Sequence, residues 1–299
     1  MSEREAAIHD LGYQRYAGGR RPQHTRWQVI VRNMMSMSWK GWWRYKIPLS
    51  VAVMTMVGIG VGIYFSRNDI FESAPGMGEQ VRTIADSLIP RSYSWFGYSS
   101  IIVCLSILAG TISRDLQAGA FEFYFSRPVR PIDYVIGKVV GAFMLLAPIL
   151  LVGPLLLTIY RLGLTGDLDK AVDTLSWIPR ALLVGVVATL AQATVALAFG
   201  ALTSKSRYAV AGYAAFVFLF GNIIAGIGYG TDTPALAALS LSTAIMGFSS
   251  GVFEVDFLFG VTAPSLAISS LSLAGYITVS VSLILWRVRQ AQRAGMGGG

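Results

Sequence analysis

The side chains best suited to chemistry lie together in one stretch of the sequence, residues 115–130. It combines two acids, Asp115 and Glu122, with two arginines, Arg127 and Arg130, and with four aromatic rings between them. Aromatic and arginine side chains are the most frequent anchors of protein–protein interfaces. The pattern therefore indicates a docking surface for another protein rather than a catalytic centre.

The rest of the sequence lacks the motifs of an enzyme. The G-x-x-x-x-G-K-[ST] motif that cradles nucleotide phosphates does not occur, because Val139 follows the one Gly-Lys pair, Gly137 and Lys138. The metal-binding motif H-E-x-x-H does not occur either, and His9 and His24 precede every apolar segment. We therefore expect no enzymatic activity, no cofactor and no metal in this chain.

The composition is that of a membrane protein. Of the 299 residues, 54% are hydrophobic and only 13% are charged, against roughly 25% charged in soluble domains. Six apolar segments each approach the ~20 residues that cross a bilayer as a helix: 47–65, 96–113, 139–160, 181–202, 208–228 and 265–286. All 16 acidic residues lie outside them. We predict an all-α polytopic membrane protein whose six-helix transmembrane domain spans residues 47–286.

The basic residues predict the orientation of this domain. If the N-terminus is cytoplasmic, eighteen of the 24 Lys and Arg residues fall on the cytoplasmic side and six on the other. Such an excess favours cytoplasmic N- and C-termini, with cytoplasmic tails at residues 1–24 and 287–299. The net charge of +8 is explained by basic residues that flank apolar segments, so no nucleic-acid partner is expected.

Two further segments have the pattern of helices that do not cross. In residues 25–46, a polar stripe that includes Arg26, Asn33 and Lys40 opposes an apolar side with several tryptophans. This predicts an amphipathic helix in the membrane interface, the alternative being a helix packed on protein. Residues 235–248 are apolar but too short to cross. They predict a re-entrant or interfacial external segment before the last helix.

The loop between the second and third apolar segments carries a family resemblance. Residues 110–138 read GTISRDLQAGAFEFYFSRPVRPIDYVIGK. The positions that match are Gly110, Thr111, Asp115, Gly119, the aromatic cluster 121–125, the motif Ser126-Arg127-Pro128-Val129-Arg130, and Gly137 with Lys138. In these positions the loop resembles that of ABC-2 type ABC transporter permeases, although Arg130 follows Val129 directly.

The resemblance implies a coupling helix that docks on a separate ATPase. The coupling residues would be Asp115, Phe121, Glu122, Phe125, Arg127, Pro128 and Arg130. Residues 115–125 can form about three helical turns, with Asp115 at the positive amino end and with Pro128 stopping the helix. Such a helix would expose Phe121 and Phe125 under the membrane. The alternative is a loop whose aromatic rings are buried among lipid headgroups.

The same resemblance implies the assembly. It predicts the permease subunit of an exporter in the plasma (inner) membrane, with a second identical or related permease copy. Two copies of the ABC ATPase would bind ATP and Mg²⁺, and envelope accessory proteins are candidate partners beside the lipid bilayer. Two other functions stay open, a membrane scaffold or assembly factor of an envelope complex and a secondary carrier. For a carrier, Pro148 and Pro154 interrupt the third segment, but no acid lies near them.

Three polar residues inside the apolar segments have two interpretations. Gln192, Thr194 and Asn222 could line a translocation path. They could equally form hydrogen bonds between helices.

Overall fold

Helices make up all the regular structure in the described part of the chain. The computed structural model describes residues 25–66, 78–121, 124, 129–165, 172, 174–255 and 263–296. Within these ranges six helical segments are long and apolar enough to cross a membrane. The predicted all-α polytopic architecture is thereby confirmed. The tail predicted at residues 1–24 lies outside the described ranges.

The described ranges hold twelve α-helices and four π-helical segments. The α-helices are α1 (Trp27–Lys40), α2 (Ile47–Ser66), α3 (Gly78–Val103), α4 (Thr111–Gln117), α5 (Pro131–Ala147), α6 (Gly153–Gly163), α7 (Trp177–Leu202), α8 (Ser206–Ala214), α9 (Gly221–Gly230), α10 (Pro234–Ala237), α11 (Leu241–Phe253) and α12 (Leu266–Met296). The π-helical segments are Trp42–Lys46, Cys104–Leu108, Pro148–Val152 and Ala215–Phe220.

Joined in this way, the helices form the six spans. In chain order the first to sixth spans are Trp43–Ser66, Thr83–Gln117, Pro131–Gly163, Trp177–Leu202, Ser206–Gly230 and Leu266–Arg293. The third span stays helical through Pro148, although proline has no backbone N–H to donate within a helix. A π-helical segment, Pro148–Val152, begins at this residue and accommodates it. The last helix continues to Met296, so it includes most of the predicted C-terminal tail.

The second span is longer than its apolar core suggests. The apolar segment begins at residue 96, whereas the helical span begins at Thr83. The added part contains two charged residues, Asp86 and Arg91, and the Asp86 carboxylate forms a hydrogen-bonded ion pair with Arg161 of the third span. A charge that is compensated by a neighbouring helix does not end the helix that carries it.

The second, third and fourth spans form the centre of the bundle. Helix α7 packs against α5, α6, α11 and α12 and against α4 at the end of the second span. Small residues permit these close approaches: a Cβ at Gly200 would lie 2.7 Å from the Ala109 carbonyl oxygen, and one at Gly185 would lie 2.6 Å from Leu151 Cδ1. In the most apolar part of the second and fourth spans 67% of the residues are buried, against 11% in the fifth span. The fifth span therefore lies on the outside of the bundle.

Helix α1 lies along the beginning of the third span. Its buried residues Ile30 and Met34 sit over glycines of α5, where a Cβ on Gly137 would be 2.8 Å from the Ile30 Cβ. The opposite side of α1 leaves Trp39 56% exposed. The helix thus packs on protein by one face, which was the alternative that the sequence left open. Its exposed face keeps the pattern of an interfacial helix, and that placement stays a prediction.

The apolar segment before the last span forms a helix that folds back onto the bundle. Helix α11 has 13 residues, about 20 Å at 1.5 Å per residue, which is too short to cross a bilayer. It packs against α3, α7 and α12, and the Ser249 hydroxyl donates to the Pro90 carbonyl at 3.0 Å. Glu254 ends the helix in the left-handed conformation with a φ of 58°. Its position against three spans suits a re-entrant segment, and its depth in the membrane stays a prediction.

Candidate functional site

A mostly buried ion pair joins the end of the second span to the beginning of the third, with the Lys138 side chain 7% and the Asp115 side chain 20% exposed. The Lys138 Nζ lies 2.7 Å from the Asp115 Oδ2, and the Tyr134 hydroxyl donates to the same oxygen at 2.6 Å. Lys138 is only 6% exposed and Tyr134 is fully buried. One carboxylate oxygen therefore accepts from two side chains of α5, which fixes the two spans to each other where the loop leaves and returns.

Local structure explains why these three groups meet. Helix α5 begins at Pro131, a residue suited to the first helical turn, and the Arg130 N–H donates to the Asp133 carboxylate at 3.2 Å. Tyr134 and Lys138 are four residues apart and so share one face of α5. That face turns toward α4, the last helix of the second span, which carries Asp115.

Aromatic rings of the loop cover this ion pair. The ring of Phe121 lies 5.1 Å from that of Tyr134, and the ring of Tyr124 lies 5.5 Å from it, measured between centroids. Burial, with a smaller contribution from the nearby Asp115 carboxylate, raises the pKa of Tyr124 above its ordinary value. The described part of the loop is thus folded against the beginning of the third span.

The prediction of a single helix over residues 115–125 was wrong. Helix α4 ends at Gln117, and Gly119 takes a left-handed φ of 62°, which glycine adopts without a steric cost. Ala120, Phe121 and Tyr124 are helical again after this break. Asp115 therefore lies in the last turn of α4, where the helix dipole disfavours a negative charge. The Lys138 ammonium compensates for that position.

The predicted coupling residues have different outcomes. Phe121 is only 6% exposed, so the expectation that it projects from the loop was wrong: its ring packs on Tyr134 instead. Arg130 is exposed as expected. Asp115 is the carboxylate of the ion pair, and the other four, Glu122, Phe125, Arg127 and Pro128, lie outside the described residues.

Sequence reasoning missed the roles of Lys138 and Tyr134. Lys138 was interpreted only as a cytoplasmic positive charge and as part of the Gly137-Lys138 pair of the family resemblance, and Tyr134 was given no role. The signal that could have found the pair is topological: two consecutive antiparallel spans place the last acid of one beside the first lysine of the next. Neither residue is exceptional within its own segment, so the pairing is visible only when the two spans are aligned.

The base of the loop is also fixed to the fourth span. The Ser113 hydroxyl donates to the Gly200 carbonyl at 2.8 Å. The Arg114 guanidinium donates to the carbonyl oxygens of Gly110 at 3.0 Å and of Ile107 at 2.8 Å. The Ser113 bond holds α4 against the central helix α7, whereas the Arg114 bonds stay within the second span. A displacement of α4 would therefore also reach the fourth span.

The polar residues inside the spans lie apart from this cluster. Thr194 is buried, and its hydroxyl donates to Leu190 of its own helix at 2.8 Å. Asn222 is exposed, and its amide donates to Phe218 of its own span at 2.8 Å. Neither bond is the interhelical hydrogen bond that the sequence suggested. Gln192 is buried in α7.

In the described parts of the chain, no three His, Cys, Asp or Glu side chains are grouped so as to hold a metal ion. No model of a known protein family matches the sequence, and no curated protein is significantly similar to it. The six apolar helices make this chain a multi-pass membrane protein with a transporter-like set of spans.

Proposed function

We propose that this chain is the permease subunit of an ABC-2 type ABC exporter, driven by a separate ATPase that docks on the loop of residues 114–138. The observation that carries the proposal is the buried Lys138–Asp115 ion pair. A loop that transmits force needs a stiff connection to the helices that it moves, and a buried charge pair provides one because separating its partners is costly.

The contacts around this pair define a route from the loop to the bundle. A displacement of the loop would be transmitted to Asp115 in α4. From Asp115 it would reach helix α5 through Tyr134 and Lys138. From α5 it reaches α1, which packs along it, and from α4 it reaches α7. Packed helices that shift as units can exchange two discrete arrangements. ATP binding by the partner would then favour one of these arrangements over the other.

The docking surface in this proposal is smaller than the sequence suggested. Arg130 is the exposed coupling residue among those described, and Glu122, Phe125 and Arg127 complete the proposed set from the sequence. Phe121 packs on the ring of Tyr134 and so stabilises the loop. Asp115 acts through α5 rather than by contact with the partner.

The proposed assembly has two permease copies and two ATPase copies, with ATP and Mg²⁺ bound by the ATPases. It lies in the plasma (inner) membrane with both termini in the cytosol. The first and fifth spans, which are mostly unburied within one chain, leave room for a second copy beside lipid. Symmetric association of two copies around a two-fold axis is the commonest arrangement of homo-oligomers.

Co-purification tests the proposal. The full chain is isolated from its native membrane in mild detergent, and the associated chains are identified by mass spectrometry. We expect a P-loop ATPase with the wild type, and its loss from the variant R127E/R130E because reversed charges repel the same partner surface. The matched control is R289E, which reverses an exposed arginine of the last helix. Absence of a P-loop ATPase from the wild type, or its retention by the double variant, would contradict the proposal.

A further inference from the structure

A cavity lies between α1, the beginning of the first span and the end of the second span. Its volume is about 630 Å³, within the range of sites that hold small molecules. Gly41, where α1 ends, lies on one wall, and Ala118 and Tyr124 of the loop lie on another. The cavity therefore shares Asp115, Lys138 and Tyr124 with the ion-pair cluster and extends from it toward α1 and the first span.

The charges that line this cavity are mostly positive. Arg44, Arg114 and Lys138 face it, and Asp115 is the one acid among its described lining residues. Lys138 and Asp115 neutralise each other as an ion pair. Two guanidinium groups remain, and within the described residues no carboxylate forms an ion pair with either of them. Both arginine side chains are exposed, so an anion could reach Arg44 and the part of the Arg114 guanidinium that does not donate to Gly110 and Ile107.

The remaining lining of the cavity is mostly apolar, although Asn33, Ser38, Ser106 and Thr111 also contribute to it. Met34, Met37 and Ile107 line it, and Trp43, which is 75% exposed, also lies along it. Tryptophan is enriched at the depth of lipid headgroups, and basic pockets at the ends of spans bind anionic headgroups. Guanidinium groups hold phosphate by two parallel hydrogen bonds. An apolar wall beside a phosphate site fits a lipid better than it fits a soluble phosphate.

We propose that this cavity binds the phosphate group of an anionic phospholipid from the leaflet on the loop side of the membrane, held by Arg44 and Arg114. The binding site itself does not depend on the ATPase, and only its assignment to the cytoplasmic leaflet rests on the proposed function. Because Arg44 lies at the beginning of the first span and Arg114 lies in α4, a bound headgroup links the first span to the base of the loop. Anionic lipid would therefore stabilise the contact through which the loop acts on the bundle.

Lipid binding to the purified full-length chain in a neutral detergent tests the site. Fluorescent phosphatidylglycerol is titrated against the wild type, and phosphatidylcholine with the same label serves as the zwitterionic reference. We expect phosphatidylglycerol to bind more tightly, and R44Q to weaken it about tenfold, the size expected for the loss of one charge-assisted hydrogen bond. The matched control is K40Q, which removes an exposed positive charge four residues before Arg44 that does not line the cavity. It should bind as the wild type does.

Two further measurements keep the result decisive. R44Q must elute and unfold like the wild type without added lipid, and R114Q is used second because Arg114 also holds backbone carbonyls. Soluble glycerol 3-phosphate is added as a competitor. Displacement of the lipid by it at similar concentration would overturn the lipid assignment in favour of a free phosphate ester. Equal binding by R44Q and wild type, or equal losses in R44Q and K40Q, would overturn the site. Neither outcome alters ATPase co-purification, which tests the proposed function separately.

Discussion

Asp115 is held in the last turn of α4 by two donors that come from the next span. Its Oδ2 accepts a hydrogen bond from the Tyr134 hydroxyl and lies 2.7 Å from the Lys138 Nζ. The ring of Phe121 packs on the ring of Tyr134. A buried charge is tolerated only when its partner is present. This small group of side chains therefore decides whether the loop is stiffly connected to the bundle.

Removing one partner of the pair should destabilise the protein. In Lys138→Met the Asp115 carboxylate keeps only the Tyr134 hydroxyl, and we expect a loss of about 3 kcal/mol. The measurement is the thermal unfolding midpoint of the purified chain in detergent. Lys40→Met, which alters an exposed lysine, is the control and should leave the midpoint unchanged.

The double variant Asp115→Asn with Lys138→Met tests whether the loss of stability comes from the interaction between these two side chains. With both charges gone no carboxylate is left buried without its cation, so most of the lost stability should return. A double variant that is less stable than Lys138→Met would show that the two side chains act independently.

At the scale of helices, α1 is fitted to α5 by the absence of side chains at Gly137 and Gly141. A Cβ at Gly137 would lie 2.8 Å from the Ile30 Cβ and 3.0 Å from the Trp27 carbonyl oxygen, so the backbone itself would have to move. At Gly141 the nearest atom is the Met34 Sδ at 2.9 Å, and a flexible methionine can give way. The close packing of α1 on α5 therefore depends mainly on Gly137.

Gly137→Ala should loosen α1. The added methyl group overpacks the contact and costs about 1–3 kcal/mol, so tryptic cleavage at Arg32 in α1 should be faster than in the wild type. Gly58→Ala is the matched control because no atom lies within 4 Å of a Cβ at that position. Equal cleavage rates for Gly137→Ala and Gly58→Ala would contradict the close packing of α1 on α5.

The limits of prediction from sequence are clearest at these helices. Polar and apolar periodicity predicted one helix over residues 25–46, but α1 ends at Lys40 and residues 42–46 lead into the first span after the extended Gly41. Which face of α1 meets protein depends on glycines of the third span. The loop was predicted as one helix because residues 115–125 contain no proline. Gly119 breaks it, since the contact of Phe121 with Tyr134 needs a change of chain direction. The predicted second span began at residue 96 because the sequence before it is polar, and the ion pair of Asp86 with Arg161 joins residues that are remote in sequence.

For the whole molecule, hydrophobicity and length were sufficient. Six stretches near ~20 apolar residues can satisfy their backbone groups in lipid only as helices, and six such helices are observed. How these helices pack could not be predicted from hydrophobicity and length. The packing depends on small residues such as Gly185 and Gly200, where neighbouring spans come into close contact. The centre of the bundle is the fourth span, and the fifth lies outside.

The side of the membrane on which the loop lies is the central claim, and cysteine labelling tests it directly. The one native cysteine, Cys104, is buried, so a maleimide that does not cross membranes should label only an added cysteine. Arg130→Cys places one in the loop and Thr231→Cys places one at the far end of the fifth span, both at exposed positions. In intact cells we expect labelling of Thr231→Cys alone, and labelling of Arg130→Cys only after the membrane is permeabilised. Labelling of Arg130→Cys in intact cells would contradict the cytoplasmic position of the loop, and with it the docking of an ATPase there.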